Sequence, residues 1–200
     1  MNGGILRHAA ILGAFCTGFG IVLAMTNELA SQDIADRAME DRLASLTQVL
    51  PAELHDSNPL QNTLIATDAD GKELTVYRAR KDGRVTGVAF EIRGSGYAGG
   101  IKMMMGVDTE GRILGVRVLA HKETPGLGDK IEVKKNPWIL SFDRLSFAAL
   151  SAEKWKVKKD GGHFDQFAGA TITPRAVVAA VRRGLEFFEA HKGQLMEVGQ

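Results

Sequence analysis

One cysteine, Cys16, stands in a chain of 200 residues, so neither an internal disulfide framework nor a cysteine-based metal site can form within it. A redox role would need an imported cofactor. Charge of either sign is not in excess: 25 Lys and Arg against 24 Asp and Glu leave a formal net charge of +1. Without a broad basic field, nucleic acid is excluded as an expected partner. His8, His55, His121, His163 and His191 are scattered with no His-Glu-x-x-His spacing, so no metal is expected either. Hydrolase chemistry lacks support, because the chain has neither a Ser-His-Asp order nor a Gly-x-Ser-x-Gly turn.

What is present begins with an uncharged apolar run, Ala9 to Met25, preceded by Ile5 and Leu6. At ~1.5 Å per helical residue it nearly crosses a bilayer core of ~30 Å if Arg7 snorkels. Arg7 and the α-amine precede the run, while Glu28, Asp33 and Asp36 follow it. This asymmetry puts residues 1–8 in the cytoplasm, residues 9–25 in the membrane and the rest outside. Val22-Leu23-Ala24 also forms a passable cleavage site, so a removed signal peptide is the alternative; both export the body of the chain.

Over residues 31–50, Ala35, Met39, Leu43, Leu46 and Leu50 recur at helical spacing, with Pro51 as the stop. An amphipathic helix is expected there. Strands follow at Thr63 to Thr67, Leu74 to Ala79, Val85 to Ile92, Ile101 to Val107 and Ile113 to Ala120. Asp68-Ala69-Asp70-Gly71, Lys81-Asp82-Gly83 and Asp108-Thr109-Glu110-Gly111 separate them as tight turns, giving an antiparallel meander. Gly94 to Gly100 reads equally as a close backbone approach to a ligand or as a flexible link. A short strand is expected at Trp155 to Val157, and a last helix from Thr173 as N-cap and Pro174 as first helical residue to about His191. Val177, Val181, Leu185 and Phe188 form its apolar face. The fold class is α+β, an antiparallel sheet with flanking helices on one side.

Met103, Met104 and Met105 read as core filling in a strand, and Lys154 to Lys159 as a solvated edge. Trp138 and Trp155 read equally as packing anchors or as neighbours of the membrane or of a bound cofactor.

Two stretches carry chemistry. In Asp165-Gln166-Phe167-Ala168-Gly169-Ala170-Thr171-Ile172-Thr173-Pro174, two hydroxyls sit on a small-residue loop that opens into a helix, whose first N–H groups favour an anion. The same residues also make an ordinary cap and loop. In His121-Lys122-Glu123-Thr124-Pro125-Gly126-Leu127-Gly128-Asp129-Lys130, proline and glycines shape a turn around an apolar Leu127, as many surface loops do.

The first stretch resembles the flavinylation motif of the FMN-binding domain family, Asp-x-x-Ser/Thr-Gly-Ala-Thr, with Asp165, Gly169, Ala170 and Thr171 in place and Thr173 just beyond. Ala168 stands where the family has a hydroxyl residue. The second resembles the flavin-side loop of the same family. The resemblance covers nearly the whole chain and points to the G subunits of Rnf-type electron transport complexes, with the C subunits of sodium-pumping NADH:quinone reductases second. It implies an FMN-binding domain over residues 60–195 and FMN esterified through its phosphate to Thr171 by a flavin transferase. Glu123, Thr124, Pro125, Gly126 and Leu127 would line the isoalloxazine. It further implies electron transfer in a bacterial inner-membrane complex linking ferredoxin and NAD redox chemistry to ion translocation, with the other subunits as partners. The contrasting reading is an anchored binding or assembly module without cofactor.

Overall fold

A computed structural model of the chain describes residues 3–68 and 70–197, with residues 32–39, 41 and 42 followed by backbone alone. It divides into two compact units, Met1–Arg42 and Leu43–Gln200. The first is helical. Helix α1 runs from Gly3 to Val49 without a break, where the sequence suggested two helices. No proline or turn signal lies between Met25 and Ser31 to interrupt it. Its Gly3–Ser31 segment is long and apolar enough to cross a membrane, and its Ile5, Leu12 and Phe19 side chains are exposed. Of the expected amphipathic face, Ala35 and Met39 lie outside the described side chains, Leu43 is partly exposed, and Leu46 and Leu50 are buried.

The second unit is built on a five-stranded antiparallel meander in the order β1-β2-β3-β4-β5: Thr63–Thr67, Glu73–Lys81, Arg84–Ser95, Gly100–Asp108 and Ile113–Ala120. The turns are set by side chains. Asp108 Oδ1 accepts the N–H groups of Glu110 (2.8 Å) and Arg112 (2.9 Å), and Asp68 Oδ1 accepts those of Asp70 and Lys72 in the same way. Asp82 (φ 51°) and Gly83 (φ 76°) make the two-residue reversal between β2 and β3.

Alternation along the strands divides the side chains between two cores. Val88, Phe90, Ile92, Met103, Met105 and Val107 face one way, and Ala89 and Met104 the other. Helix α2, Ile172–Met196, covers the first face with Val177, Val181, Leu185 and Phe188, all essentially buried. Each such side chain contributes about 1.5–3 kcal/mol. Leu46, Val49 and Leu50, at the end of α1, pack on the opposite face with Tyr77 and Met104. Helices therefore flank both sides of the sheet, where one side was expected, because the meander has an apolar residue on each face. Gly115 admits the close approach: a Cβ there would stand 3.2 Å from Gln48 O.

From Ala120 to Thr171 the chain forms short 3-10 turns and loops around an aromatic cluster of Trp138, Phe142, Trp155, Phe164 and Phe167. The strand expected at Trp155 to Val157 is absent: only Val157 bridges to Phe164. Trp155 is instead buried and donates its indole N–H to Leu150 O at 3.0 Å, which fixes the segment without a ladder. The lysines from Lys154 to Lys159 lie on this loop and not on a sheet edge.

Candidate functional site

The first turns of helix α2 pack closely on the end of β3. Gly94 makes this possible, since a Cβ on it would stand 2.8 Å from Ala176 O. The N-cap residue of α2 is Thr171, at φ −78° and ψ −24°, and its side chain makes no capping hydrogen bond. Thr173, the expected cap, lies inside the first turn and is 1% exposed. Its hydroxyl donates to the Glu123 carboxylate, so burial and a charged acceptor outcompete capping. Pro174 falls third in the helix, where it is tolerated because first-turn N–H groups have no helical acceptor.

Just before Thr171, Ala170 N–H donates to Phe167 O at 3.2 Å and closes a reversal with Gly169 at φ 80°. That left-handed position suits glycine and aims Ala170 and Thr171 along one wall. The Trp138 indole N–H holds the preceding segment by donating to Asp165 O at 2.8 Å.

The second stretch is equally braced. Leu127 and Gly128 donate to Thr124 O at 3.2 and 3.0 Å, and Gly126 takes φ 78°. The buried Asp129 carboxylate accepts the Gly126 N–H and pairs with Lys135 Nζ at 3.0 Å; these two contacts, in that order, outweigh its burial and hold it below the usual carboxylate range. His121 Nδ1 accepts the Glu123 N–H (3.0 Å), leaving the Nε2 proton for Glu132 at 2.9 Å.

Glu123 is 4% exposed and stands at the centre. Burial is the largest influence on its carboxyl and pushes it up, but donors from Thr173, Ala98 and Tyr97, with His121 nearby, together bring it below its ordinary value. It is an ionised, fully engaged carboxylate.

These segments enclose a cleft of about 340 Å3 lined by Tyr97, Glu123, Thr124, Leu127, Gly128, Gly169, Ala170, Thr171, Ile172 and Thr173. Of the residues expected from sequence, Glu123, Thr124, Leu127, Gly169, Ala170, Thr171 and Thr173 meet there. Pro125 and Gly126 shape the loop without lining it. Asp165 faces elsewhere: its carboxylate pairs with Lys158 Nζ at 2.6 Å, and with Ala168 it lines a neighbouring cleft of about 570 Å3. The hydroxyl that Ala168 lacks would thus not belong to the first cleft's wall. Tyr97, Gly128 and Ile172 were missed. The glycine-rich run around Tyr97 is the available signal, and on residues alone it reads equally as ligand approach and as link.

Gly94-Ser95-Gly96-Tyr97-Ala98-Gly99 also has the Gly-x-Gly-x-x-Gly spacing, but it joins two antiparallel strands and opens no helix, so it is not a dinucleotide-binding turn. The first cleft suits FMN on its own geometry. Leu127, Tyr97 and Ile172 give apolar surface at its rim, and the uncapped start of α2 suits a phosphate.

A family profile described as the FMN-binding domain matches residues 96–186, a span that contains every residue lining this cleft. The chain is 52% identical over 180 residues to the G subunit of the ion-translocating oxidoreductase complex of Stutzerimonas stutzeri, covering 90% of this chain and 79% of that protein. The chain belongs to the family of ion-translocating oxidoreductase complex G subunits. Another member, from Cereibacter sphaeroides, is 49% identical across 96% of this chain and 87% of its own length. One from Vibrio cholerae is 45% identical across 96% and 93%. Two solved structures share the fold at low identity. Shewanella oneidensis NqrC gives a TM-score of 0.50 at 22% identity, over 76% of this chain and 73% of that one. The C subunit of the Na(+)-translocating NADH-quinone reductase of Parabacteroides distasonis gives 0.55 at 16%, over 86% and 98%.

Proposed function

We propose that this chain is an electron-transfer flavoprotein subunit of a membrane-bound, ion-translocating oxidoreductase complex and carries FMN as a phosphoester on Thr171. The observation that carries the reading is the contrast between two threonines on one wall. Thr173 is buried and hydrogen-bonded, whereas Thr171 lines the cleft without a capping bond, at the start of a 25-residue helix. A hydroxyl so placed is free to react, and the phosphate it would gain lies beside the first N–H groups of α2.

The attachment is a phosphoryl transfer from a flavin dinucleotide. The Thr171 oxygen would bond to the flavin-side phosphorus as the pyrophosphate bond broke, with adenosine monophosphate as leaving group and the hydroxyl proton passing to the transferase or solvent. A flavin transferase is therefore a partner in maturation. Once bound, FMN supplies the redox chemistry. The chain would hold and orient it between Leu127 and Thr124 on one side and Gly169 and Ala170 on the other, with Thr171 as the tether.

The relationship to these G subunits supports other subunits of such a complex as partners, and the Gly3–Ser31 segment supports a membrane anchor. The charge asymmetry around that helix supports a cytoplasmic N-terminus and a periplasmic flavin domain on the inner membrane. The alternative, the C subunit of a sodium-pumping reductase, is supported by fold likeness alone.

The test is the intact mass and in-gel fluorescence of the denatured full-length chain after co-expression with a flavin transferase. A mass increase of one esterified FMN with a fluorescent band is expected. An unmodified, dark chain would favour a cofactor-free binding module instead.

A further inference from the structure

Three segments distant in sequence form the cleft: the Gly96–Gly99 turn between β3 and β4, the loop after β5, and the start of α2. One carboxylate joins them. Glu123 Oε1 accepts the Ala98 N–H at 2.9 Å, and Oε2 accepts the Tyr97 N–H at 3.2 Å together with the Thr173 hydroxyl. The Gly96–Gly99 turn has one backbone bond of its own, Gly96 N–H to Gly99 O at 2.8 Å, so its tip is moored through Glu123.

The surroundings pack closely on this carboxylate. A Cβ at Gly128 would stand 2.9 Å from both Glu123 Cβ and Thr173 Oγ1, and one at Gly96 would collide with Oε1. Glycine at both positions lets the side chain pass between the two backbones. A hydroxyl donating to a carboxylate has the geometry of a base-activated nucleophile, but Thr173 is only 1% exposed, and burial keeps its hydroxyl from a large reactant. The bond therefore holds the walls together and does not activate an attack. Tyr97, in contrast, is 73% exposed at the rim, so its backbone is fixed while its ring stays free to cover a ligand.

We propose that Glu123 is a positioning residue for the flavin: it does not contact the ring through its carboxylate, but ties the Tyr97–Ala98 turn and Thr173 into one frame that sets how far the ring is shielded from water. This rests on the FMN assignment above. Removing one acceptor oxygen or the Thr173 hydroxyl breaks the same frame from two sides. The amide of Glu123→Gln keeps the volume but turns an NH2 toward N–H donors, and Thr173→Val keeps the shape without a donor. Thr173→Ser restores the donor.

The experiment compares the full-length, flavinylated chain in membranes or detergent with Glu123→Gln, Thr173→Val and Thr173→Ser. It reads iodide quenching of flavin fluorescence and the visible absorption envelope, alongside thermal unfolding. Glu123→Gln and Thr173→Val are expected to raise quenching several-fold and to move the absorption bands in the same direction, while Thr173→Ser behaves as wild type. Lowered melting temperatures with wild-type quenching and absorption in both disruptive variants would overturn the positioning role and leave Glu123 a stabilising residue. If Glu123→Gln does not fold, the Thr173→Val and Thr173→Ser pair decides by the same criterion. Failure of the FMN assignment shows separately, as a wild-type chain with no flavin on Thr171.

Discussion

Leu127 faces Gly169: a Cβ built on that glycine would meet Leu127 Cδ2 at 3.4 Å, ordinary van der Waals contact. The two chemically informative stretches of the sequence thus face each other in one cleft, and neither forms it alone.

Leu127 is 41% exposed, so truncation removes little buried area. Leu127→Ala should cost about 1 kcal/mol or less, keep the flavin covalently attached, and change its absorption envelope or reduction potential. Wild-type spectrum and potential would place the ring elsewhere.

Gly169 and Gly126 take nearly the same left-handed conformation, φ 80° and 78°, but only Gly169 lines the cleft. Alanine at either position should cost roughly 1–2 kcal/mol of conformational strain. Measured by urea unfolding, the two losses should be similar. Flavinylation during co-expression should fall more in Gly169→Ala than in Gly126→Ala, and an equal fall would argue that the loop after β5 governs attachment.

Much of this was legible before the structure. Asp and Gly at fixed turn offsets between β-rich segments pointed to all five strands, two of them, Thr63–Thr67 and Ile113–Ala120, to the residue. The backbone course between the two motifs, from Lys130 to Asp165, was opaque, because it is held by single side-chain bonds such as Trp155 to Leu150 and Trp138 to Asp165, which have no periodicity. The role of Thr173 was misread for a related reason. Threonine ahead of proline is a cap signal locally, and the competing acceptor, Glu123, lies fifty positions away in the chain. Asp165 could not be separated from the cleft residues by spacing, since the turn at Gly169 sends it to the other side.

The folded-state Glu123 carboxyl lies below its ordinary value. Its ionised form therefore adds stability that is present above the unfolded glutamate value of about 4.3 and is lost as pH falls through the lower folded-state value. Urea unfolding of wild type and Glu123→Gln should show a gap in stability at neutral pH that narrows on acidification. A gap that widened toward low pH would mean the buried carboxyl is neutral in the folded chain.

Arg7 precedes the apolar segment, and Glu28, Asp33 and Asp36 follow it. A reporter active only outside the cytoplasm should be active when fused after Gln200, and the chain should resist carbonate extraction. Activity of a cytoplasmic reporter there would reverse the orientation.

The most direct test of the central claim is peptide mass mapping of Thr171→Ala and Thr173→Ala after co-expression with a flavin transferase. Thr171 contributes no cap bond, so its loss should leave a folded, membrane-bound chain without covalent flavin. Thr173→Ala removes a buried donor to an ionised carboxylate and should cost about 1.5–3 kcal/mol, yet keep FMN on Thr171. FMN found on Thr173, or retained after Thr171→Ala, would contradict the account.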